Sequence, residues 1–286
     1  MLGPQDNWHV RELARALATR RITATVVETS TLLARVGGVP ALSGSGIALD
    51  DADLVLVRSV PGGSLEQVIF RVDALHVLEA MGVRVINPPR SIERTVDKFL
   101  TSKLLEMRGI PTPRTVVAQS VNEAMDAFHA MGDVVVKPLF GGQGVGMVRV
   151  ADPDLAWRTF KALKVGRAIY YVQEFIPHGH EDVRVLVIAG TVVAGITRSG
   201  SSWKTNLAQG AVARPWMPDP VVAGLSVQAT AAVEAVYAGV DLLRHPDGRW
   251  YVVEVNGIPG WQGLQAATHV NVAQTLVDAL IPAATP

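Results

Sequence analysis

Two carboxylates and an amide, Asp241, Glu254 and Asn256, fall where the turn chemistry of the chain can fold them together. The run GVDLLR-HPDG-RWYVVEVN reads as two β-rich arms around a four-residue turn, His245 to Gly248. Pairing Arg244 with Arg249 across that turn sets Asp241 opposite Val252. The two-residue period of a strand then places Asp241, Glu254 and Asn256 on one face, with Val240, Leu242, Tyr251, Val253 and Val255 on an apolar one. Hard oxygen donors converging from neighbouring strands suit a Mg²⁺ that also holds nucleotide phosphates. A one-residue bulge would turn Asp241 away, and a solvated polar face is the plainer alternative.

The second group is the Gly-rich run Gly141 to Gly146, with Lys137 upstream on DVVVK and MVRV downstream. Gly141, Gly142, Gly144 and Gly146 carry no Cβ, so backbone N–H groups around Gln143 can turn towards an anion while Lys137 adds positive charge. That is a phosphate cradle in chemical terms. It matches neither G-x-x-x-x-G-K-[ST] nor a strand-to-helix G-x-G-x-x-G, because strand follows it. A Gly-rich hairpin tip without a ligand reads equally well from these residues alone.

Between the two groups run Gln173-Glu174-Phe175-Ile176, Asp182 with Arg184, and Arg198 followed by Trp203-Lys204-Thr205-Asn206. A Glu closing an apolar strand can hydrogen-bond a ligand hydroxyl or amino group, and cations beside phosphates can stabilise charge that develops during transfer. Taken singly, each is an ordinary surface charge, and it is their order that carries weight. His178 and His180 flank Gly179 and read as a solvated loop. Trp203, Trp216 and Trp261 read as core and rim packing ahead of an aromatic acceptor pocket.

Positioning these residues takes alternating helices and strands. Apolar spacing predicts helices over Trp8 to Thr19, Leu65 to Met81, Ser91 to Arg108, Val121 to Met131, Pro220 to Tyr237 and Asn271 to Leu280. β-branched runs predict strands at Ile22 to Thr29, Ala52 to Ser59, Val83 to Asn87 and Tyr170 to Ile176, and a hairpin around Ala189-Gly190. Only Met1 and Leu2 precede the Gly3-Pro4 turn, so the strand that launches such a unit is expected to be almost missing.

The composition bounds the class. With 286 residues, 49% hydrophobic and 18% charged, the chain is globular and long enough for two or three small domains. Lys plus Arg equals Asp plus Glu at 26 each, which removes the electrostatic case for nucleic acid or an anionic membrane. Zero Cys excludes disulfides, thiolate zinc sites and a cysteine nucleophile. MLGPQDNWHV lacks the apolar core of a secretion signal, and the longest charge-free stretch, Val255 to Val277, carries Asn, Gln, Pro and His. A cytoplasmic protein is expected.

Lys98, VVVKPLFGGQGVG, QEFI, D-V-R, K-T-N and the D…E-V-N pair followed by Pro-Gly, in this order, resemble the ATP-grasp superfamily, and most closely the RimK-type α-L-glutamate ligases. The resemblance implies an α+β / α/β ATP-grasp fold. Its parts would be an N-terminal half-Rossmann domain over residues 1–92, a central lobe with the Gly-rich flap over 93–171, and a C-terminal lobe with the metal site over 172–286. It implies ATP phosphates on Lys98 and Lys137, adenine and ribose read by Gln173, Glu174, Phe175 and Ile176, and a further ATP contact at Asp182. Lys204, Thr205 and Asn206 match the phosphate-side segment, and Asp241, Glu254 and Asn256 the ligands of Mg²⁺ or Mn²⁺, two ions in all. Arg184 and Arg198, with Lys204 and Asn206, are candidates for the acyl-phosphate oxyanion or the substrate carboxylate.

The implied reaction joins an amine, such as that of L-glutamate, to an acceptor carboxylate through an acyl phosphate, in a homo-oligomer of two or four chains. Two features depart from the family. Gly257-Ile258-Pro259-Gly260-Trp261 stands where small residues and Ser-Pro are frequent, and Lys204 replaces an Arg, losing its planar fork. The alternatives are a ligase for another amino acid or an amino-group carrier, and a non-catalytic ATP-binding module. The module would lack a metal ligand or a phosphate lysine, and none is missing.

Overall fold

The computed structural model describes residues 1–281. Asn7 opens α1 (Trp8–Thr19) by accepting the backbone N–H groups of His9 and Val10, two donors that a helix start leaves free. The predicted strand Ile22 to Thr29 does not form. Leu2 bridges Val27 on one side and Val57 on the other, and a ladder one residue long is a bridge rather than a strand. An antiparallel sheet of short strands follows, β1 (Leu33–Ala34), β2 (Leu42–Gly44) and β3 (Ile47–Ala48), which the sequence did not announce. Then come β4 (Leu54–Leu56), α2 (Leu65–Ala80) and β5 (Arg84–Ile86), with β4 and β5 parallel as a crossover helix requires. Ser64 and Gln67 close a capping box at the start of α2.

The helix expected from Ser91 to Arg108 is two helices, α3 (Pro89–Val96) and α4 (Lys98–Met107). Asp97 separates them with extended dihedrals of −85° and 104°, and its carboxylate accepts the Leu100 N–H at 3.0 Å. An N-cap cannot also sit inside a helix. This break makes Lys98 the first residue of α4 and so decides where its ammonium can reach.

A second sheet carries the flap. β6 (Thr115–Ala118), α5 (Val121–Met131), β7 (Val134–Lys137), β8 (Val148–Val150), α6 (Pro153–Val165) and β9 (Tyr170–Glu174) build a four-stranded sheet of order β6-β9-β7-β8. β7 and β8 are the arms of the predicted Gly-rich hairpin. α5 and α6 cover one face of this sheet in a core of their own, around Phe128, Phe160 and Tyr170.

The largest sheet, of order β12-β11-β10-β13-β14, holds β10 (Glu181–Ile188), β11 (Thr191–Ser199), β12 (Val212–Trp216), β13 (Tyr237–Arg244) and β14 (Trp250–Asn256). α7 (Pro220–Ala232) covers one face, burying Val183, Val185, Val240, Leu242, Val252 and Val255. Leu105 of α4 belongs to this same core. α7 ends short of the expected Tyr237. Glu234 turns the chain with a φ of +59°, and the apolar run that reads as helix becomes turn and buried strand. α8 (Gln262–Thr268) and α9 (Val272–Leu280) close the described chain, and their core joins α1 to the other face of the sheet. Among the described residues no helix is long and apolar enough to cross a membrane.

Candidate active site

The D…E-V-N hairpin forms with a different register. Asp241 pairs with Glu254 rather than Val252, Gly239 with Asn256, and Arg244 with Trp250 rather than Arg249. One extra residue, Val253, is accommodated between the Asp241 and Leu242 pairs. The bulge has the opposite consequence to the one expected. It sets the two carboxylates directly across from each other, sends Val252 into the α7 core, and leaves Val253 on the cavity wall instead of the apolar face.

Across β10 the same face continues. Arg184 lies opposite Asp241, and Asp182 lies opposite Arg198 of β11. The Arg184 guanidinium donates from Nε and Nη2 to both oxygens of Asp241, at 2.6 and 2.7 Å. Arg198 forks onto Asp182 at 2.6 Å twice, and its Nη2 lies 3.0 Å from Asp241. Thr205 adds a hydroxyl to Asp182 at 2.5 Å. The row therefore reads cation, anion, cation, anion, and ends at Glu254, whose carboxyl has no hydrogen-bond partner among the described residues.

Titration follows from this row. Burial pushes the Asp182 carboxyl up against the pull of Arg198, and burial would do the same to Asp241 were it not outweighed by Arg184 and Arg198, which leave it below its ordinary value. Burial, then repulsion from Asp241, holds Glu254 above the usual range despite Arg184, Lys98 and Lys137.

The two lysines come from the other wall. Burial lowers Lys137 to about 8, with Glu254 opposing the fall and Lys98 adding to it. Burial lowers Lys98 as well, against Glu254 and Asp97. Lys98 Nζ donates to the carbonyls of Gly141 at 2.5 Å and Leu139 at 3.4 Å. Lys137 Nζ donates to Gln173 Oε1 at 2.6 Å. Lys98, Lys137, Asp241, Glu254, Asp182 and Arg198 all line one cavity between the two large sheets.

The flap closes that cavity. Gly141, Gly142, Gln143 and Gly144 line it, and Gly146 packs instead against Pro138. Gly144 has a φ of +72°, and a Cβ there would meet Asn206 Oδ1 at 2.5 Å. Only glycine fits both the backbone and the approach. Lys204, Thr205 and Asn206 line the cavity below the flap, Lys204 with its ammonium 5.4 Å from the Trp203 ring.

Glu174, Phe175 and Ile176 line the far end. Arg114 holds the Glu174 carboxylate, Nε to Oε2 at 3.0 Å, and the Arg149 guanidinium stacks 3.6 Å from the Phe175 ring centroid. Trp203 meets Phe175 edge-on at 6.2 Å. Val135, Met147 and Leu243 of the cavity wall, and Arg149, which backs Phe175 while forked onto Asp133, were missed in the sequence. The apolar three are indistinguishable from core residues until the sheets face each other, and Arg149 is one of many scattered arginines.

Three expected site residues stand off the wall. Arg184 reaches the cavity only through Asp241, Asn256 lies two pairs beyond Glu254, and Gly146 is at the flap base. Asp182 faces the cavity with its carboxylate already engaged by Arg198 and Thr205, so it serves the charge row. Gln173 lines the cavity but spends its amide on Lys137. The tryptophans do not converge. Trp216 stacks on Trp250 at 6.0 Å, and Trp261 is buried beneath Arg58 at 4.4 Å. Gly257 and Gly260 likewise pack on Thr95 and His9, so the Gly257 to Trp261 segment joins the N-terminal unit to the large sheet. No group of three or more His, Asp or Glu gathers as metal ligands among the described residues.

Known proteins share this architecture. A family model described as RimK-like ATP-grasp domain matches residues 95–280. A tetrahydromethanopterin:alpha-L-glutamate ligase of Methanococcus maripaludis is 33% identical over 286 residues, covering 97% of this chain and 96% of the relative. A ligase of the same name from Methanocaldococcus jannaschii is 38% identical over 240 residues, 82% of this chain and 80% of its own. The structure of the ATP-grasp ligase PsnB complexed with minimal precursor, Mg and ADP superposes with a TM-score of 0.76 at 22% identity, over 98% of this chain and 96% of that one, and shares the fold. A domain match across most of the chain, together with 33% identity sustained over 97% of it, supports one assignment: the chain belongs to the RimK-like ATP-grasp family and is an ATP-dependent carboxylate–amine ligase.

Proposed function

We propose that this chain adds L-glutamate to the carboxylate of a small acceptor, through an acyl phosphate formed with ATP. The observation that carries the reading is the charged row on one sheet face, which ends at Glu254 and meets Lys98 and Lys137 across the cavity. The relatives named for glutamate and tetrahydromethanopterin make a coenzyme with a terminal carboxylate the acceptor of first choice.

The donor set fits a divalent cation. Two opposed carboxylates are hard ligands, and Glu254, without a hydrogen bond and held above its usual pKa by burial and its neighbour, is the one in need of positive charge, Asp241 being already compensated by Arg184 and Arg198. We assign Asp241 and Glu254 to Mg²⁺ or Mn²⁺ as a two-ion site, with Asn256, off the wall and two pairs along β14, as its outlying ligand. Bound there, the ions would neutralise the repulsion between an attacking carboxylate and the triphosphate.

The chain's own groups do the rest. Lys98 and Lys137 take phosphate charge, and Arg184, set behind the wall, holds the Asp241 carboxylate in place with its fork. The Phe175–Arg149 stack and Trp203 wall the adenine end. The free space is about 100 Å³, against about 300–1,000 Å³ for ligand pockets, so the flap must swing out to admit a nucleotide. Closing afterwards excludes water from the acyl phosphate. The nucleotide would lie between the 93–171 and 172–286 lobes with the 1–92 unit alongside, in a dimer or tetramer.

The test is ADP release from the purified protein with ATP, Mg²⁺, L-glutamate and candidate carboxylate acceptors. Release that needs both partners, with the acceptor gaining one glutamyl unit by mass, supports the reading. Tight ATP binding without release under any acceptor would favour the binding module instead.

A further inference from the structure

Gln173 is the buried polar residue of the cavity whose chemistry the ligase reading leaves unused. It is 2% exposed, on β9 between Val135 of β7 and Thr115 of β6. Lys137 pairs with Tyr171 in the same ladder, so Lys137, Tyr171 and Gln173 project from one face. The Lys137 ammonium donates to Gln173 Oε1 at 2.6 Å. At the other end of the amide, Nε2 donates to Thr115 Oγ1 at 2.9 Å and to the Tyr171 hydroxyl at 3.2 Å.

Those partners decide which way the amide points. Thr115 Oγ1 donates its own proton to the Pro113 carbonyl at 2.9 Å, so towards Gln173 it can only accept. The Tyr171 hydroxyl is paired with Ser102 Oγ at 2.8 Å. Turned over, the amide would set its NH₂ against an ammonium and its carbonyl against a hydroxyl with no proton to give. The carbonyl oxygen is thus locked towards Lys137 from both ends of the amide, by the ammonium and by Thr115.

A neutral acceptor matters here. A carboxylate would also hold Lys137 but would cancel its charge and compete with a phosphate for it, and a hydrocarbon would leave the ammonium without an acceptor. Lys98 differs, because the carbonyls that hold it belong to Leu139 and Gly141, at the flap. Its position follows the flap, whereas that of Lys137 is set by the wall.

We propose that Gln173 is a positioning residue: its amide aims the Lys137 ammonium into the phosphate end of the cavity and leaves the charge undiminished, without touching the nucleotide. This rests on the reading of Lys137 as a phosphate contact. The experiment is a double-mutant cycle on the full chain, with Mg·ADP affinity read by calorimetry for the wild type, Lys137→Met, Gln173→Met and the double variant. Met keeps the length of Gln and removes the acceptor.

The expected result is about a tenfold loss for Gln173→Met, a larger loss for Lys137→Met, and a double variant within about twofold of Lys137→Met. Unchanged affinity in Lys137→Met would sink the phosphate reading itself. A loss in Lys137→Met with none in Gln173→Met, or two losses that multiply, would overturn the proposal and leave that reading standing. Gln173→Glu carries the test should the Met variant fail to fold. It keeps an acceptor for the ammonium and adds a charge, so Mg·ADP should bind more weakly than to the wild type when Lys137 is present, and no more weakly when Lys137→Met has already removed the ammonium. A purely structural glutamine would not give that split, and wild-type affinity in Gln173→Glu overturns the proposal.

Discussion

Asp241 and Glu254 face each other in register across β13 and β14, yet their carboxyls are pushed in opposite directions. Burial penalises both charges. Arg184 and Arg198 outweigh it at Asp241, while at Glu254 burial and the neighbouring carboxylate outweigh every cation in reach. An incoming divalent ion therefore gains most from Glu254, the end of the row that no guanidinium has claimed.

Glu254→Gln keeps the side-chain shape and the register with Asp241 while removing the charge. Turnover should fall by a factor on the order of 10²–10³, the melting temperature should hold or rise because a repulsive buried pair is gone, and raising Mg²⁺ should not restore the rate. Steady-state ADP release across a Mg²⁺ titration measures it. Activity that survives at saturating Mg²⁺ means the metal lies elsewhere.

Much of this was legible before any coordinates, and the reasons are local. Asn7, Ser64, Ser120 and Asp219 are side-chain caps that mark helix starts in the residues themselves. The flap hairpin and the β10–β11 hairpin also followed from period and order. What could not be read depends on partners distant in sequence. Residues Ile22 to Thr29 have strand composition but find only Leu2 beside Val27. The Val253 bulge is invisible because either register leaves Asp241 and Glu254 on one face, and packing of Val252 under α7 decides between them. Asp97 and Gln173 look like ordinary polar residues until one caps α4 and the other receives Lys137.

Lys137 gives a pH dependence whose sign can be worked out. With its pKa lowered to about 8, chiefly by burial, the free enzyme carries an ammonium below that pH and a neutral amine above it. A polyphosphate favours the ammonium, so binding raises the pKa and takes up a proton. Mg·ADP affinity should be flat below about pH 8 and fall by up to about tenfold per unit above it. Lys137→Met should bind more weakly at neutral pH and show no break there. Calorimetry in buffers of different ionisation heat would read the proton uptake directly, and its absence in the wild type at pH 9 would refute the assignment.

Arg198 is 2% exposed and neutralises parts of two carboxylates at once. Arg198→Gln leaves Asp182 buried without its fork, at a cost of about 3–5 kcal/mol, or a melting point lower by roughly 10 °C. The sign with pH is distinctive. The Asp182 pKa is already raised by burial and would rise further, so protonation favours the folded variant and its deficit should shrink as the pH falls towards that pKa. A melting series from neutral pH downward checks this, and a deficit that stays constant or grows in acid would contradict it.

Gly144 is where the flap meets the lower lobe. A Cβ there would sit 2.5 Å from Asn206 Oδ1 on a backbone with φ at +72°. Gly144→Ala thus combines about 1 kcal/mol of backbone strain with a clash that Asn206 must yield to. The flap then rests ajar, water reaches the acyl phosphate, and ADP should be released faster than amide is formed. Nucleotide affinity should change less than this ratio, because Lys137 is held by Gln173 on the wall rather than by the flap. Adding Asn206→Ala relieves the clash but not the strain, so it should restore coupling in part. The ratio of ADP to ligated product, measured by mass spectrometry in the three proteins, decides. A Gly144→Ala enzyme that still forms one amide per ADP would show that the Gly144–Asn206 contact does not seal the site.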